Sequence, residues 1–200
     1  MQSDDTITKH PKSKRYEVLM ATAREVFWKY GFRRVSIEEI CERAGISKMT
    51  FYRFFPNKLE LAKAVFNKEI DHGLVAFRKL LFSSDHTTEE KVKGLLLMKA
   101  EGTHEISHEF LQDFYNSADL GLKEHIDKKI HEAWASAVDD FKRAQKEGIF
   151  RKDFQPELFF HLAESVMTIL SNKALINSYE NPQKLILGIA DLMMFGIVQK

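Results

Sequence analysis

The stretch from residue 36 to residue 58 constrains the fold of this chain more than any other. Ser36 and Glu39 have the spacing of a capping box, so a helix can begin there with its free amide groups satisfied. Apolar residues then recur at helical spacing as far as Ala44. Gly45 can adopt the left-handed backbone of a sharp turn. We therefore expect a short helix that ends at residue 44.

A second short helix is predicted directly after this turn. Ser47 can cap it, and Pro56 stops it near Phe55. Asn57 then repeats the capping pattern, so a third helix begins at once with Lys58 in its first turn. Two short helices joined by a glycine-containing turn form a helix-turn-helix pattern.

The second of these helices has an inner and an outer arc. Phe51 and Phe55 lie four residues apart and can pack inward together. The outer arc holds Lys48, Met49, Thr50, Tyr52 and Arg53. It offers cations and hydroxyl groups to phosphates and apolar atoms to a thymine methyl group, and it contains no carboxylate. Helical hairpins with a glycine turn are also common in proteins that bind no DNA, and this alternative stays open.

The pattern resembles the DNA-binding signature of the TetR (tetracycline-repressor-like) family of bacterial transcription regulators. The residues in register with that signature are Ile37, Ile40, Ala44, Gly45, Ser47, Thr50, Tyr52, Phe55, Lys58 and Leu61. Met49 departs from it, because a glycine is common there, and a larger side chain can change which bases are read. On this resemblance we expect Ser36, Lys58, Tyr52 and Arg53 to hold phosphates. Lys48, Met49 and Thr50 are expected to face bases.

Charge is distributed unevenly along a chain whose net charge is only +1. Residues 1–60 contain 12 Lys and Arg against 8 Asp and Glu, a balance of +4. Residues 61–200 contain 18 against 21, a balance of −3. A basic head on a mildly acidic body is typical of a phosphate-binding module attached to a second function.

Composition excludes several classes of protein. A single cysteine rules out an internal disulfide framework, and no apolar run reaches the roughly 18 residues that a membrane span requires. The first dozen residues are polar and lack the apolar core of a signal peptide. We therefore predict a cytoplasmic protein, and with no recognisable cofactor motif we expect no cofactor.

The remaining pattern predicts an all-α fold in three parts. Four prolines, nine glycines and few alternating β-branched runs favour helices throughout. We divide the chain into a head (residues 1–57) with the helix-turn-helix, a connecting helix (58–82), and a body (83–200) for ligand binding and dimerisation. Within the head, a helix over about 13–30 supports the helix-turn-helix pair. The connecting helix is roughly 36 Å long.

The first twelve residues permit two interpretations. Their cations and those just after them, Lys9, Lys12, Lys14 and Arg15, can reach into a minor groove. The alternative, which the composition favours, is a disordered solubilising tail.

The body is predicted to contain five helical segments. They begin near Thr88, Ser107, Leu122, Pro156 and Pro182. The segment that begins at Pro156 is expected to run without a break to Tyr179.

The last two segments are apolar over most of their circumference. Leu158, Leu162 and Ile169 lie on the first, and Leu185 and Leu192 on the second. We expect two helices from each of two subunits to form a four-helix bundle, although both could instead be buried within one subunit. A dimer would place two heads about 34 Å apart, as a palindromic operator requires. The resemblance implies the same dimer.

The body is larger than dimerisation alone requires and is rich in aromatic residues. As a set these can line a cavity for a small apolar ligand, although each one taken singly is a plain core residue. We select Phe110, Phe114, Trp134 and Phe141 as ligand-binding candidates. The resemblance implies that ligand binding releases the DNA, so we predict a ligand-released repressor.

Other chemistry receives less support from the sequence. His104 and His108 have the i, i+4 spacing of a metal pair, but a glycine and a serine flank them and no ligand cluster accompanies them. Cys41 falls on the packing face of its helix, which favours an inert core residue over an oxidation sensor. No nucleophile–base pair or phosphate-binding glycine loop suggests an enzyme. A helical enzyme and a protein-binding adaptor remain the rival classes.

Overall fold

The structure is a computed structural model that describes residues 13–116, 121–170 and 172–197, with the backbone alone for residues 114–116, 167 and 197. The described residues form ten α-helices, which confirms the predicted all-α fold. They are α1 (Lys14–Tyr30), α2 (Ile37–Ala44), α3 (Lys48–Phe54), α4 (Lys58–Leu81), α5 (Thr88–Gly102), α6 (His108–Asn116), α7 (Leu122–Lys146), α8 (Pro156–Ile169), α9 (Lys173–Asn177) and α10 (Pro182–Ile197). The first twelve residues, including Lys9 and Lys12 of the predicted arm, lie outside the described residues.

Side-chain caps fix the helix starts of the head. Ser36 Oγ accepts from the Glu39 amide, and Ser47 Oγ accepts from the Thr50 amide. The Asn57 side chain caps α4 by accepting from the Glu60 amide at 2.9 Å. Each cap satisfies an amide that the helix itself leaves free, so the boundaries follow from local chemistry.

The head packs around one apolar core, which continues into the body. Leu19, Val26, Phe27, Ile40 and Phe51 are all at most 1% exposed and belong to this proximal core. Residues of α6, α7 and α10 join the same core, so the head is supported directly by the body.

A second core lies at the far end of the body. It is formed by Leu81, Ala137, Phe141, Ala144, Ile149, Phe150 and Phe160. In this distal core, α4 packs along α7, and α7 packs against α8. The long connecting helix α4 therefore contacts both cores.

Two details of the body differ from the sequence prediction. The segment predicted to run unbroken from Pro156 to Tyr179 is divided, because Asn172 adopts an extended backbone and caps the short helix α9 through the Leu175 amide. The described part of the body therefore contains six helices rather than five. The cap of α5 is Thr87, one residue before the predicted start, and it forms a complete capping box with Glu90.

Hydrogen bonds join the head to two helices of the body. Trp28 Nε1 and Arg24 Nη2 both donate to the carbonyl oxygen of Gly102 at the end of α5, at 3.1 and 3.2 Å. The Arg33 amide donates to Asp113 Oδ2 on α6 at 2.8 Å. The turn after α1 is therefore fixed by residues about 80 positions away in the chain.

None of the helices in the described ranges combines the length and apolarity needed to cross a membrane.

Candidate functional site

The two helices of the helix-turn-helix are joined by a turn with the expected geometry. Gly45 has φ +63° and ψ +35°, the left-handed conformation, and its amide donates to the end of α2. Ile46 bonds back to Cys41 at 3.0 Å. Since an added Cβ at Gly45 would meet no atom within 4 Å, glycine is required here for its backbone conformation alone.

The recognition arc, which we define as Lys48, Met49, Thr50, Tyr52 and Arg53 of α3, faces outward. Met49 is 76% exposed and Tyr52 is 55% exposed, although both side chains are largely apolar. Beneath them, Phe51 is fully buried and contacts Phe55 with ring centroids 6.3 Å apart. A short helix that exposes a Met and a Tyr while anchoring two Phe presents those side chains to a partner.

The hydroxyl groups of Thr50 and Ser36 already form hydrogen bonds within helix caps. Thr50 is half-buried, and its Oγ1 lies 3.0 Å from Ser47 Oγ within the cap of α3. Ser36 is exposed but uses its hydroxyl oxygen to cap α2. A hydroxyl group that accepts a hydrogen bond in such a cap can still donate a hydrogen bond to a phosphate.

Lys48 has a partner that the sequence pattern did not indicate. Its ammonium group bonds the carboxylate of Glu38 on α2. The Glu38 hydrogen bond raises the pKa of Lys48, and the same bond lowers the pKa of Glu38. The absence of a carboxylate, noted for this helix from the sequence, holds for α3, whereas α2 contributes Glu38 to the same surface. The residue spacing within one helix gives no information about a side chain that the neighbouring helix contributes.

The Lys58 ammonium group binds backbone carbonyl groups of the protein, whereas its predicted role is to contact a phosphate. Its Nζ donates to the carbonyl oxygens of Phe32 and Val35 at 2.7 Å each, and to that of Arg33 at 3.3 Å. Desolvation lowers the pKa of Lys58, whereas the negative charge of Asp113 acts in the opposite direction. The side chain thus ties the α1–α2 loop to the start of α4. Phosphate contact by Lys58 stays a prediction.

The four ligand-binding candidates do not form one group. Phe110 stacks between Trp28 and Phe66 at the head–body junction, with centroid distances of 4.7 and 5.8 Å. Phe141 lies in the distal core with its ring centroid 4.9 Å from that of Phe160, and Trp134, two turns earlier on the same face of α7, lies 6.1 Å from Phe160. The side chain of Phe114 lies outside the described residues. Ligand contact by these residues stays a prediction.

A surface groove runs between α7 and α8, and most of its lining residues are charged, although much of the exposed lining is apolar. Its lining residues are Lys123, Asp127, Lys128, Ile130, His131, Glu132, Trp134 and Glu164. Glu164 accepts hydrogen bonds from His161 and His131, and these bonds lower its pKa. Of the three ligand-binding candidates whose side chains are described, Trp134 alone lines this groove.

The outer faces of α8 and α10 expose large apolar residues. Leu162 is 54% exposed and Leu192 is 77% exposed. Leu158, Ile169 and Phe195 are exposed beside them, whereas Leu170 and Leu185 are buried within the subunit. Each helix therefore has one face in the subunit core and one apolar face toward solvent.

Metal and redox chemistry find little support in the described residues. They contain no group of three or more His, Cys, Asp or Glu side chains that could hold a metal ion, His104 and His108 included. Cys41 is buried, and burial raises its pKa, which disfavours the reactive thiolate.

Comparison with known proteins assigns the head to a family. Residues 19–65 match the family described as "Bacterial regulatory proteins, tetR family". The chain is similar to the HTH-type transcriptional activator FasR of Mycolicibacterium smegmatis, with 37% identity over 71 residues that cover 36% of this chain and 32% of FasR. The match thus spans about a third of that relative. Similarity to the uncharacterized HTH-type transcriptional regulator YfiR of Bacillus subtilis is 24% over 75% of this chain and 73% of YfiR.

Solved structures extend the likeness to the whole fold. The fatty acid degradation regulator FadR of Bacillus halodurans has a TM-score of 0.67 at 16% identity, over 94% of this chain and 99% of that one. FadR of Bacillus subtilis, solved with stearoyl-CoA, has a TM-score of 0.63 at 15% identity, over 91% and 99% of the two chains. The helix-turn-helix, the family match over residues 19–65 and the shared fold lead to one conclusion: this chain carries the DNA-binding head of the TetR family, whose members are transcription regulators and not enzymes, on a body with the same fold as the two solved regulators.

Proposed function

We propose that this regulator is a homodimeric repressor that binds a palindromic operator and is released by a small, largely apolar ligand. The main observation behind the proposal is that the recognition arc exposes Met49 and Tyr52, while Phe51 of the same helix is fully buried and anchors it. Its setting is the cytoplasm, and its three parts are the head (1–57), the connecting helix (58–82) and the body (83–200).

In this proposal, α3 enters the major groove, and different residues of the recognition arc contact bases and phosphates. Met49 and Thr50 face bases, where a thioether and a methyl group suit contact with a thymine methyl. Tyr52 and Arg53 contact phosphates, together with the Ser36 hydroxyl at the start of α2. Lys48 reaches a base once it exchanges Glu38 for DNA. Lys58 either contacts a phosphate directly or positions the α1–α2 loop that its ammonium group binds.

The exposed apolar faces of α8 and α10 support a dimer through the last long helices. Leu162 and Leu192 would be buried between subunits, and such apolar faces are common in obligate interfaces. Gly188 and Gly196 on α10 have open space where a Cβ would stand, so a partner helix can approach closely. Two-fold symmetry then presents two heads to two half-sites.

Ligand control is supported by the build of the body and by a structural relative. The body is bonded to the head at Gly102 and at Asp113, so a shift of α5 or α6 moves the turn that supports α2. FadR of Bacillus subtilis was solved with stearoyl-CoA, a ligand with a long apolar chain. A ligand that binds one arrangement better than the other shifts the equilibrium between them by that difference in affinity.

Selection from a random duplex pool tests the proposal. We expect a palindrome to be enriched, and its affinity to fall with salt along a log–log slope of about −4 or steeper, since each contacted phosphate adds roughly −0.9. An adaptor or an enzyme would show no enriched site. In a transcription assay with that site, the regulator should lower output from an overlapping promoter. Higher output would show an activator and would refute the repressor assignment.

A further inference from the structure

The recognition arc carries an exposed ion pair at its N-terminal end. Lys48 is the first residue of α3, and its ammonium group contacts the carboxylate of Glu38 in the first turn of α2. The side chains of Lys48 and Glu38 are 56% and 61% exposed, so both charges lie at the surface. Because the N-terminal residues of a recognition helix are the ones that reach base edges, this ion pair lies where α3 would meet a base pair.

Stability alone does not account for a carboxylate at position 38. An ion pair between two exposed side chains contributes little, since water already solvates both charges. Glu39 in the same turn also supplies a negative charge to the start of α2, and it has its own partner in Arg43 at 2.9 Å. A carboxylate on a DNA-binding surface repels phosphates, so Glu38 weakens the complex unless the DNA offers it a hydrogen-bond donor.

At neutral pH the Glu38 carboxylate acts only as a hydrogen-bond acceptor. The hydrogen bond from Lys48 lowers the pKa of this carboxyl group, and bonds from its own backbone amide and from the Ser36 hydroxyl act in the same direction. An ionised carboxylate has no proton to donate, and an ammonium group has no lone pair with which to accept. The ion pair therefore presents one acceptor group and one donor group side by side.

The major-groove edge of a base pair offers the complementary arrangement. The hydrogen-bond donors on that edge are the amino groups of cytosine and adenine, and guanine provides two acceptors, N7 and O6. In a G·C pair, guanine O6 and the cytosine amino nitrogen are about 3 Å apart, because they are hydrogen-bonded to each other. An ammonium group and a carboxylate that lie in contact can therefore each find a partner on a single G·C pair.

We propose that Glu38 is a specificity-determining residue that accepts a hydrogen bond from a cytosine amino group while Lys48 donates to the guanine of the same base pair. Lys48 thus exchanges Glu38 for guanine, and the carboxylate takes the neighbouring cytosine as its donor. This inference rests on the proposed function, because it names the base pair that one end of the recognition arc reads. On other sequences the carboxylate enters the groove without a donor, which disfavours those complexes.

Reading by both residues together predicts a definite order among the four base pairs. G·C in the matching orientation is preferred, because it offers two acceptors to Lys48 and one donor to Glu38. T·A ranks second, since thymine O4 and the adenine amino group keep the acceptor and the donor in the same order. C·G and A·T set an amino group against Lys48 and a carbonyl oxygen against Glu38. We expect both of these to bind at least about fivefold more weakly than G·C.

Selection from a random duplex pool, run in parallel with wild type and three variants, tests the proposal. Lys48→Met removes the ammonium group and identifies the base pair that it reads, because the preference there is relaxed. We expect this pair to be G·C, and we expect Glu38→Gln to relax the same pair, since an amide can turn its donor toward the base. Glu39→Gln is the matched control, because it removes the same charge from the same turn of α2 but breaks only the bond to Arg43. It should leave every preference unchanged.

Titration of duplexes that differ only at this base pair measures the size of the effect. In Glu38→Gln, the affinity ratio of G·C to C·G should fall at least threefold below the wild-type ratio. A duplex with inosine in place of the guanine keeps the major-groove edge and lacks the minor-groove amino group, so wild type should bind it within about threefold of the G·C duplex. Because each result is a ratio of affinities for one protein, a change in the folded fraction of a variant cancels. A wild-type order without T·A in second place would overturn the proposal.

The selection also separates this inference from the proposed function. If wild type enriches a palindrome and Glu38→Gln retains its full preference at the Lys48 base pair, the proposed function stands and the role of Glu38 is refuted. The same conclusion follows if Lys48→Met relaxes no position, or relaxes a pair other than G·C. If wild type enriches no site at all, the proposed function and the role of Glu38 both fail.

Discussion

Tyr52 shows at the scale of one residue why exposure is informative in the head. Its ring stands edge-on to the buried Phe51, at 82° and 5.3 Å, so its orientation is fixed while its outer face remains free. A preoriented aromatic side chain loses little conformational entropy on binding a partner.

We predict that Tyr52→Ala weakens operator binding about tenfold without lowering protein stability, because an exposed side chain contributes mainly to the contact with DNA. A gel-shift or anisotropy titration measures the affinity, and thermal unfolding checks the fold. Tyr179→Ala, which removes an exposed tyrosine of the body, is the matched control. Equal affinities for wild type and Tyr52→Ala would remove Tyr52 from the interface.

Lys58 illustrates the opposite case, a cation used within the protein. We predict that Lys58→Ala lowers the free energy of unfolding by about 1–3 kcal/mol, because three carbonyl groups lose their donor and the bonds to two of them are partly buried. Lys68→Ala, which breaks only an ion pair with Glu17 at the surface, should cost less than about 1 kcal/mol. Urea denaturation measures both variants.

The same Lys58→Ala variant distinguishes the two roles of this residue in DNA binding. A lost phosphate contact would reduce the salt slope of operator binding by about one per head. A positioning role alone would leave the slope unchanged and lower the affinity. The two results cannot be confused, since the slope reports displaced ions rather than binding strength.

At the scale of elements, α6 presses closely against the turn between α1 and α2. Gly31 has φ +81° and ψ +163°, a region open almost only to glycine, and an added Cβ there would lie 2.6 Å from Asp113 Oδ2. Asp113 also accepts from the Arg33 amide. A shift of α6 would therefore change the contacts that Asp113 makes with Gly31 and with the Arg33 amide.

We predict that Gly31→Ala destabilises the protein more than Gly45→Ala does. Both substitutions strain a positive φ, at a cost of roughly 1–2 kcal/mol, but only at Gly31 must the added methyl group also displace Asp113. The difference between the two free energies of unfolding measures the contact between α6 and the turn. Equal costs would show that α6 moves away freely.

At the scale of the whole molecule, the proposed function requires two subunits to pair through α8 and α10. We predict that the double variant Leu162→Glu with Leu192→Glu is a folded monomer, because two charges would be buried without partners in the interface. Its operator affinity should fall at least a hundredfold, since one head alone loses the benefit of simultaneous binding.

Sedimentation, circular dichroism and the operator titration check this prediction together. Val75→Glu places a charge at an exposed apolar residue of α4, away from the proposed interface, and should remain dimeric. A double variant that stays dimeric would place the interface elsewhere on the molecule.

The sequence by itself determined the features that depend on neighbouring residues along the chain. The caps at Ser36, Ser47 and Asn57, the left-handed Gly45 and the inward pair Phe51 and Phe55 were all predictable, because each depends on chemistry within about four residues. The all-α class and the family resemblance rest on the same local patterns. The missed break before α9 is a failure of this kind of reasoning, since Asn172 is a cap within an otherwise apolar run.

Only the tertiary structure decided how distant residues meet. It paired Lys48 with Glu38 across two helices, placed Lys58 on three carbonyl groups, and separated Phe110 from Trp134 and Phe141. Contacts of this kind depend on how helices pack against each other, and a pattern with the period of one helix carries no information about which side chain of another helix will face it.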